Sequence, residues 1–257
     1  MSKKVNAGLT ISPFKFVTLR STDGSTDRTA NLKGDFIMNK NLTEIVFILD
    51  RSGSMAGLES DTIGGFNSMV EKQKAAPGDA VLSAVLFSND NTVIYDRTDI
   101  QKVEPLTDSQ YFVGGCTALL DAIGGAVHHI ANVHKYAREE DRPGKTIFVI
   151  TTDGMENASH RYSYAEVQRM VKHEQEKYGW EFLFLGANMD AISAARSFGI
   201  REDRAVRYSC DGAGTNLNFR VAGKAIEKFR CGQPIAADWS VEITEDYENR
   251  GKKRAKN

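Results

Sequence analysis

Short apolar runs alternate along the chain with segments that have a helical periodicity. Residues 44–50 form a nearly continuous apolar run, which is typical of a strand buried on both faces. Shorter runs predict five further strands, at residues 80–87, 92–95, 146–151, 181–185 and 205–208. The pattern therefore predicts a fold with six strands.

Between most of these strands, apolar residues recur every third or fourth position, as they do in a helix with one buried face. In residues 61–75, for example, Ile63, Phe66 and Val70 lie on one face. The same periodicity predicts four more helices, at about residues 118–136, 164–178, 191–198 and 216–229.

The alternation of strands and helices predicts an α/β fold. We expect a Rossmann-like, doubly wound, mostly parallel six-stranded sheet with helices on both faces. Only residues 88–91 separate the strands at 80–87 and 92–95, and this connection is short enough only for an antiparallel hairpin. The sheet should therefore have one antiparallel edge strand.

The two ends of the chain lack this pattern. We interpret residues 1–40 as a partly ordered N-terminal arm, residues 41–235 as the folded domain and residues 236–257 as a charged C-terminal tail. The last part of the tail, residues 245–257, is highly charged, and we expect it to be frayed and solvated.

Composition and charge narrow the class of protein. The 257 residues are 41% hydrophobic and 26% charged, which is ordinary for a soluble folded protein, and the net charge of −1 gives no basic field for nucleic acid or an anionic membrane. No apolar run approaches the ~20 residues of a membrane span. The three cysteines, Cys116, Cys210 and Cys231, are widely spaced, and the first residues lack a continuous apolar segment. We therefore expect a cytoplasmic protein.

Oxygen-bearing side chains follow two of the predicted strands. Asp50 ends the first strand and begins a turn in which Ser52 and Ser54 can converge with it. Asp153 follows the strand at 146–151. If the two strands are neighbours, their carboxylates would repel unless a cation lay between them. Thr117, in a glycine-rich loop, adds a third hydroxyl.

This set has the composition of a hard-cation site. It contains carboxylates and hydroxyls but neither His nor Cys, which disfavours zinc. Mg²⁺ or Mn²⁺, with about six ligands that include water, fits better than Ca²⁺. A coordination position left open to solvent would accept an anionic oxygen from outside, such as a partner's Asp or Glu. The five candidate ligands are Asp50, Ser52, Ser54, Thr117 and Asp153.

Three segments resemble the metal-ion-dependent adhesion site (MIDAS) of von Willebrand factor type A (VWA) domains. They are residues 50–54 (DRSGS), 115–122 (GCTALLDA) and 152–154 (TDG), and the resemblance covers about residues 42–230. It implies a Rossmann-like sheet and a non-enzymatic module that binds a protein through a metal ion, usually Mg²⁺. By position, it assigns the five candidate ligands to three loops. We therefore predict a cytoplasmic adaptor whose partner's Asp or Glu completes the coordination of the metal.

Two other functions remain open from the residues. A Mg²⁺-dependent phosphohydrolase could use Asp50 as phosphoryl acceptor, but such enzymes generally need a second acid two residues further on, where Ser52 stands. A scaffold could instead bind partners through its terminal segments without any metal.

Several residues near the motifs have simpler interpretations. Asp121 is a first-turn helix acid favoured by the helix dipole, or else holds a metal-bound water or a loop amide. We interpret Glu156 and Asn157 as surface residues. Residues 211–216 (DGAGTN) resemble a dinucleotide-binding turn without its third glycine, and we predict a helix start instead.

Overall fold

The computed structural model describes residues 39–187 and 190–254 and contains one six-stranded sheet between two layers of helices. The strands are β1 (Asn39–Asp50), β2 (Asp79–Phe87), β3 (Asn91–Asp99), β4 (Pro143–Thr152), β5 (Glu181–Ala187) and β6 (Ala205–Tyr208). The helices are α1 (Glu59–Ala75), α2 (Leu119–Tyr136), α3 (Tyr164–Tyr178), α4 (Ala191–Ser197), α5 (Gly212–Arg230) and α6 (Val241–Arg254).

The order of the strands is β3-β2-β1-β4-β5-β6. All neighbouring pairs are parallel except β2 and β3, which are antiparallel, so the predicted fold class is confirmed. The chain moves outward from β1 to β2 and β3 and then returns to β4 on the other side of β1. This reversal lies between β1 and β4, and in doubly wound sheets ligands bind beyond the strand ends at such a point.

The register between β1 and β4 brings two of the predicted site loops together. Leu49 pairs with Thr151, so Asp50 ends beside Thr152. Asp153 follows directly. The two strands are therefore neighbours, as the prediction of a shared site required.

Each face of the sheet has its own apolar core, as alternating side chains of β1 demonstrate. Phe47 lies in a cluster with Phe66 of α1 and Phe219 of α5, whereas Ile48 lies in a cluster with Ile123 of α2. The first cluster also receives α6, and the second also receives α3 and α4. Helices thus cover both faces, as predicted.

The exposed edge strand β3 is irregular. Its pairing with β2 shifts register twice, and Arg97 has a left-handed φ of 48°. The Arg97 Nε donates to both carboxylate oxygens of Glu44 at 3.0 Å, and His134 Nε2 lies 2.8 Å from Glu44 Oε2. Glu44 is fully buried, so these partners compensate a carboxylate that would otherwise be costly to bury.

The prediction of a frayed end is wrong for residues 245–254, which belong to α6. Ile243 anchors this helix with only 1% of its surface exposed. Glu242 forms salt bridges to Lys224 at 2.7 Å and to Arg220 at 2.8 Å on α5. Within residues 245–254, Arg250 pairs with Asp211 at the start of α5 and with Asp246, so part of the charge that suggested a solvated tail is paired. The proposed arm at residues 1–40 lies almost wholly outside the described residues, as do residues 255–257.

Residues 211–216 begin α5, as predicted. The Asp211 side chain caps the helix by accepting a hydrogen bond from the Gly214 amide at 2.9 Å. In the part of the chain that the structure describes, every helix is too short or too polar to cross a membrane.

Candidate metal centre

Asp50 lies at the base of the candidate site and is held on both sides. Its Oδ1 accepts from the Ser52 amide at 2.7 Å, and its Oδ2 accepts from the Thr152 hydroxyl at 2.6 Å. Its backbone carbonyl accepts from the Tyr111 hydroxyl at 2.5 Å. None of its surface is exposed, so the carboxylate has one fixed position at the end of β1.

Burial raises the pKa of Asp50 above its usual value. The hydrogen bonds from Thr152 and Ser52 oppose this effect, and the negative charge of Asp153 adds to it. A positive charge beside Asp50 would lower its pKa again, because such a charge favours the ionised carboxylate.

The first and third loops meet through their side chains. Ser54 Oγ donates to Asp153 Oδ1 at 2.5 Å, and the hydroxyls of Ser52 and Ser54 lie 3.1 Å apart. Ser52 and Asp153 are buried, whereas Ser54 is exposed. The oxygen atoms therefore lead from the buried base of the site to the surface.

Thr117 of the second loop lies beside Gly154 of the third loop. A β-carbon built on Gly154 would be 2.9 Å from Thr117 Oγ1 and 3.5 Å from Ser54 Oγ. Gly154 thus leaves a space between two hydroxyls that any larger residue would fill. All five side chains that the sequence suggested as ligands lie around this junction of three loops.

The donors in this space suit an oxygen-binding cation. Within residues 39–187 and 190–254, no three His, Cys, Asp or Glu side chains form a group that could hold a metal, so an ion here would depend on hydroxyls as well as on Asp50 and Asp153. Carboxylates, hydroxyls and water are the ligands of small hard cations. Cys210, which no sequence motif marks as part of the site, also lies beside it, with its Sγ 3.6 Å from Asp153 Oδ2.

The second loop needs glycine to reach its position. Gly115 has a φ of 81°, a conformation that side chains disfavour, and a β-carbon there would lie 3.0 Å from Asn89 Oδ1. The same Asn89 oxygen accepts from the Cys116 amide at 2.6 Å, and the Gly53 amide donates to the Gly115 carbonyl at 3.0 Å. These bonds fix Thr117 relative to the first loop.

Asp121 holds the third loop through backbone amides. Its carboxylate accepts from the amides of His160, Arg161 and Tyr162 at 3.0, 2.8 and 2.9 Å. Asp121 lies in the first turn of α2, as predicted, and of its two other suggested roles the structure supports the binding of loop amides.

Glu156 and Asn157, which we interpreted as surface residues, connect the third loop to the start of α2. Glu156 Oε2 accepts from the Leu120 amide at 2.7 Å, and Asn157 Oδ1 accepts from the Thr117 amide at 2.9 Å. A signal for this role exists in the sequence: Ala118 precedes α2 and cannot cap it, so the helix needs an acceptor from elsewhere.

Comparison with solved structures identifies the fold. Proximal thread matrix protein 1 from the mussel byssus, with a zinc-occupied MIDAS motif, aligns with a TM-score of 0.51 at 17% identity over 74% of this chain and 47% of that one. The pilus adhesin SpaC of Lactobacillus rhamnosus GG aligns with a TM-score of 0.52 at 12% identity over 75% of this chain and 31% of that one. The chain has a VWA-like fold.

This VWA-like chain spans less than half the length of either solved protein. At these identities the similarity shows only the fold. The ligands and partners of this chain have to be argued from its own residues. No protein-family model matches the sequence, and no curated protein matches it either.

Proposed function

We propose that this VWA-like protein is a divalent-metal-dependent protein-binding module and an adaptor in an intracellular complex. The observation that carries the proposal is the contact of Ser54 Oγ with Asp153 Oδ1 beside Gly154 and Thr117, which joins three loops around oxygen atoms. A neighbour in fold whose MIDAS motif holds zinc supports metal binding at such a place.

The proposed ligands are the five side chains predicted from the sequence, acting directly or through water. They are Asp50, Ser52, Ser54, Thr117 and Asp153. We propose Mg²⁺ or Mn²⁺, with Ca²⁺ a poorer fit, because two carboxylates and three hydroxyls suit a small oxygen-binding ion. When bound, the ion would supply a positive centre for one external carboxylate, from an Asp or Glu of the partner.

The surroundings of the site support a protein partner. Phe112 and Met155 flank the second and third loops with 61% and 72% of their surfaces exposed. A cavity of about 360 Å³ beside Gly154 is lined by Met155, Tyr164 and Phe198 among others. Exposed apolar side chains around a polar centre are typical of protein interfaces.

We do not propose an enzyme. Asp50 would have to attack a phosphoryl group in the alternative phosphohydrolase, but it is fully buried and both of its oxygens accept hydrogen bonds. Ser52 also stands where such an enzyme would need its second acid. We place the protein in the cytoplasm because Cys116 and Cys231 are exposed thiols, which suits a reducing compartment.

We further propose residues 41–235 as the binding module, preceded by an N-terminal arm (1–40) and followed by a charged C-terminal segment (236–257). The helical part of that segment, α6, packs against α5. Binding through the terminal segments alone would be independent of metal, which separates it from the proposal.

Calorimetric titration of Mg²⁺ and Mn²⁺ tests the metal site. The wild type should bind one ion, whereas Asp153→Asn and Ser54→Ala should bind at least about ten-fold more weakly because a charged or direct ligand is lost. Asp141→Asn is the matched control, since Asp141 is exposed and precedes β4 at the opposite end of the sheet. Equal affinities in all four proteins would remove the proposed site.

The protein-binding part of the proposal needs a separate experiment. Partners captured by the wild type should be lost with EDTA and with Asp153→Asn and retained with Asp141→Asn. Capture that survives both EDTA and Asp153→Asn would favour the scaffold instead.

A further inference from the structure

Arg51 stands between two candidate ligands and is immobilised beside them. Its Nη2 donates to Thr92 Oγ1 at 2.8 Å, and its guanidinium lies 4.8 Å from the centre of the Phe112 ring. Its amide donates to the Phe87 carbonyl at 2.8 Å, and its carbonyl accepts from the Gly114 amide at 2.9 Å. Only 8% of the residue is exposed, so its charge has a fixed position at the junction of the first and second loops.

No carboxylate among the described residues forms an ion pair with this guanidinium, and its Nε is buried without a hydrogen-bond partner. The buried Arg204, by contrast, pairs with Glu181 at 2.9 Å and with Asp203 at 2.6 Å. A buried charge without a close counter-charge is costly, so this position calls for an explanation.

The charges of the short segments that carry the candidate ligands suggest a role for this cation; Arg161, further along the third loop, lies over the Tyr162 ring instead. Residues 50–54, 112–117 and 153–157 contain the carboxylates of Asp50, Asp153 and Glu156 and one cation, Arg51. A bound divalent ion brings these segments to neutrality, and without Arg51 they would keep one negative charge. That residual charge would repel the carboxylate that the proposed function requires from a partner.

We propose that Arg51 is a positioning residue for the anion: its fixed charge lowers the affinity of the site for the metal ion and raises the affinity of the loaded site for an external carboxylate. The inference rests on the proposed function and names the chemistry of the partner group as a single carboxylate. A fixed positive charge weakens the binding of a cation and strengthens the binding of an anion. Removing Arg51 should therefore change the affinities for metal and carboxylate in opposite directions, whereas the loss of a structural role would weaken both.

The experiment uses Mn²⁺ and acetate as probes. Calorimetry gives the affinity for Mn²⁺, and the proton relaxation of acetate in the presence of the Mn²⁺-loaded protein reports how closely acetate approaches the ion. Acetamide is the uncharged control. The variants are Arg51→Met, Arg51→Gln and Arg51→Lys, with Thr92→Val removing the contact to Thr92 while the charge stays. Circular dichroism checks folding, and Arg51→Gln keeps a donor towards Thr92 if Arg51→Met does not fold.

We expect Arg51→Met and Arg51→Gln to bind Mn²⁺ about three-fold more tightly and to reduce the binding of acetate by about three- to ten-fold, with acetamide unchanged. Arg51→Lys should restore both values towards those of the wild type, and Thr92→Val should leave both within two-fold. A parallel loss of Mn²⁺ and acetate binding, or no change in acetate binding, would overturn the inference while leaving the metal site intact. Failure of the wild type to bind Mn²⁺ would overturn the proposed function itself.

Discussion

The hydroxyl of Thr152 donates a hydrogen bond to Asp50 Oδ2 at 2.6 Å and so links the ends of the two central strands. Replacing it by valine in Thr152→Val keeps the shape of the side chain but leaves a buried carboxylate oxygen without a donor. We expect unfolding free energy to fall by about 1–3 kcal/mol and Mn²⁺ affinity to fall as Asp50 loses its orientation. Urea denaturation and calorimetry measure the two effects. Thr146→Val, at the buried start of the same strand, should leave Mn²⁺ affinity unchanged; a loss there equal to that of Thr152→Val would contradict the assignment.

The variant Gly154→Ala tests whether metal binding needs the space beside Gly154. In Gly154→Ala the new methyl group lies 2.9 Å from Thr117 Oγ1, so it should displace that hydroxyl and reduce Mn²⁺ affinity at least about ten-fold. Calorimetric titration is the measurement. Gly64→Ala is the matched control, because its methyl group meets nothing within 4 Å on α1 and should raise stability by about 0.5–1 kcal/mol without affecting the metal. Unchanged affinity in Gly154→Ala would show that Thr117 is not a ligand.

The variant Asp121→Asn tests whether the Asp121 carboxylate stabilises the third loop. Asp121→Asn replaces an acceptor of three amides by a group that presents an NH₂ on one side, so at least one amide loses its partner. We expect stability to fall by about 1–3 kcal/mol and amide exchange to accelerate at residues 160–162. Hydrogen-exchange mass spectrometry measures this locally. The exposed Asp108 supplies the control in Asp108→Asn, and exchange that is unchanged in Asp121→Asn would rule out this role.

The attachment of α6 should depend on pH. Hydrogen bonds from Lys224 and Arg220 lower the pKa of Glu242 from its usual value of 4.5. A lowered folded-state pKa means that the stabilisation is present above about pH 4.5 and is lost as the pH falls through the folded-state value. The pair is largely exposed, so the effect should not exceed about 1 kcal/mol. The stability difference between wild type and Glu242→Gln should therefore vanish in acid; a difference that persists at pH 2.5 would exclude this origin.

The sequence was sufficient for the parts of the molecule that depend on local periodicity. The buried strand that ends at Asp50 and the strand before Asp153 have unbroken apolar runs, and strands of this kind occupy the centre of a parallel sheet. That these two strands are neighbours was a condition of the predicted site, and the pairing of β1 with β4 fulfils it.

Contacts between separate loops and between helices could not be predicted in the same way. The roles of Glu156 and Asn157 depend on a helix start that lies about 40 residues earlier in the chain, as their hydrogen bonds do. The helix α6 is strongly charged, and its stability comes from Ile243 and from ion pairs with α5, which no local pattern reveals. Arg51 illustrates the same limit, since only the folded structure shows that its guanidinium pairs with none of the carboxylates in residues 39–187 and 190–254.

The irregularity of β3 also affects whether another chain can pair with the edge of the sheet. An even row of free amides and carbonyls along a sheet edge invites another chain to extend the sheet, which leads to aggregation. The left-handed turn of Arg97 and the shifted pairing break that row, while α6 contacts β6 at the other edge. Both edges of the sheet are thus poor templates for the addition of a foreign strand.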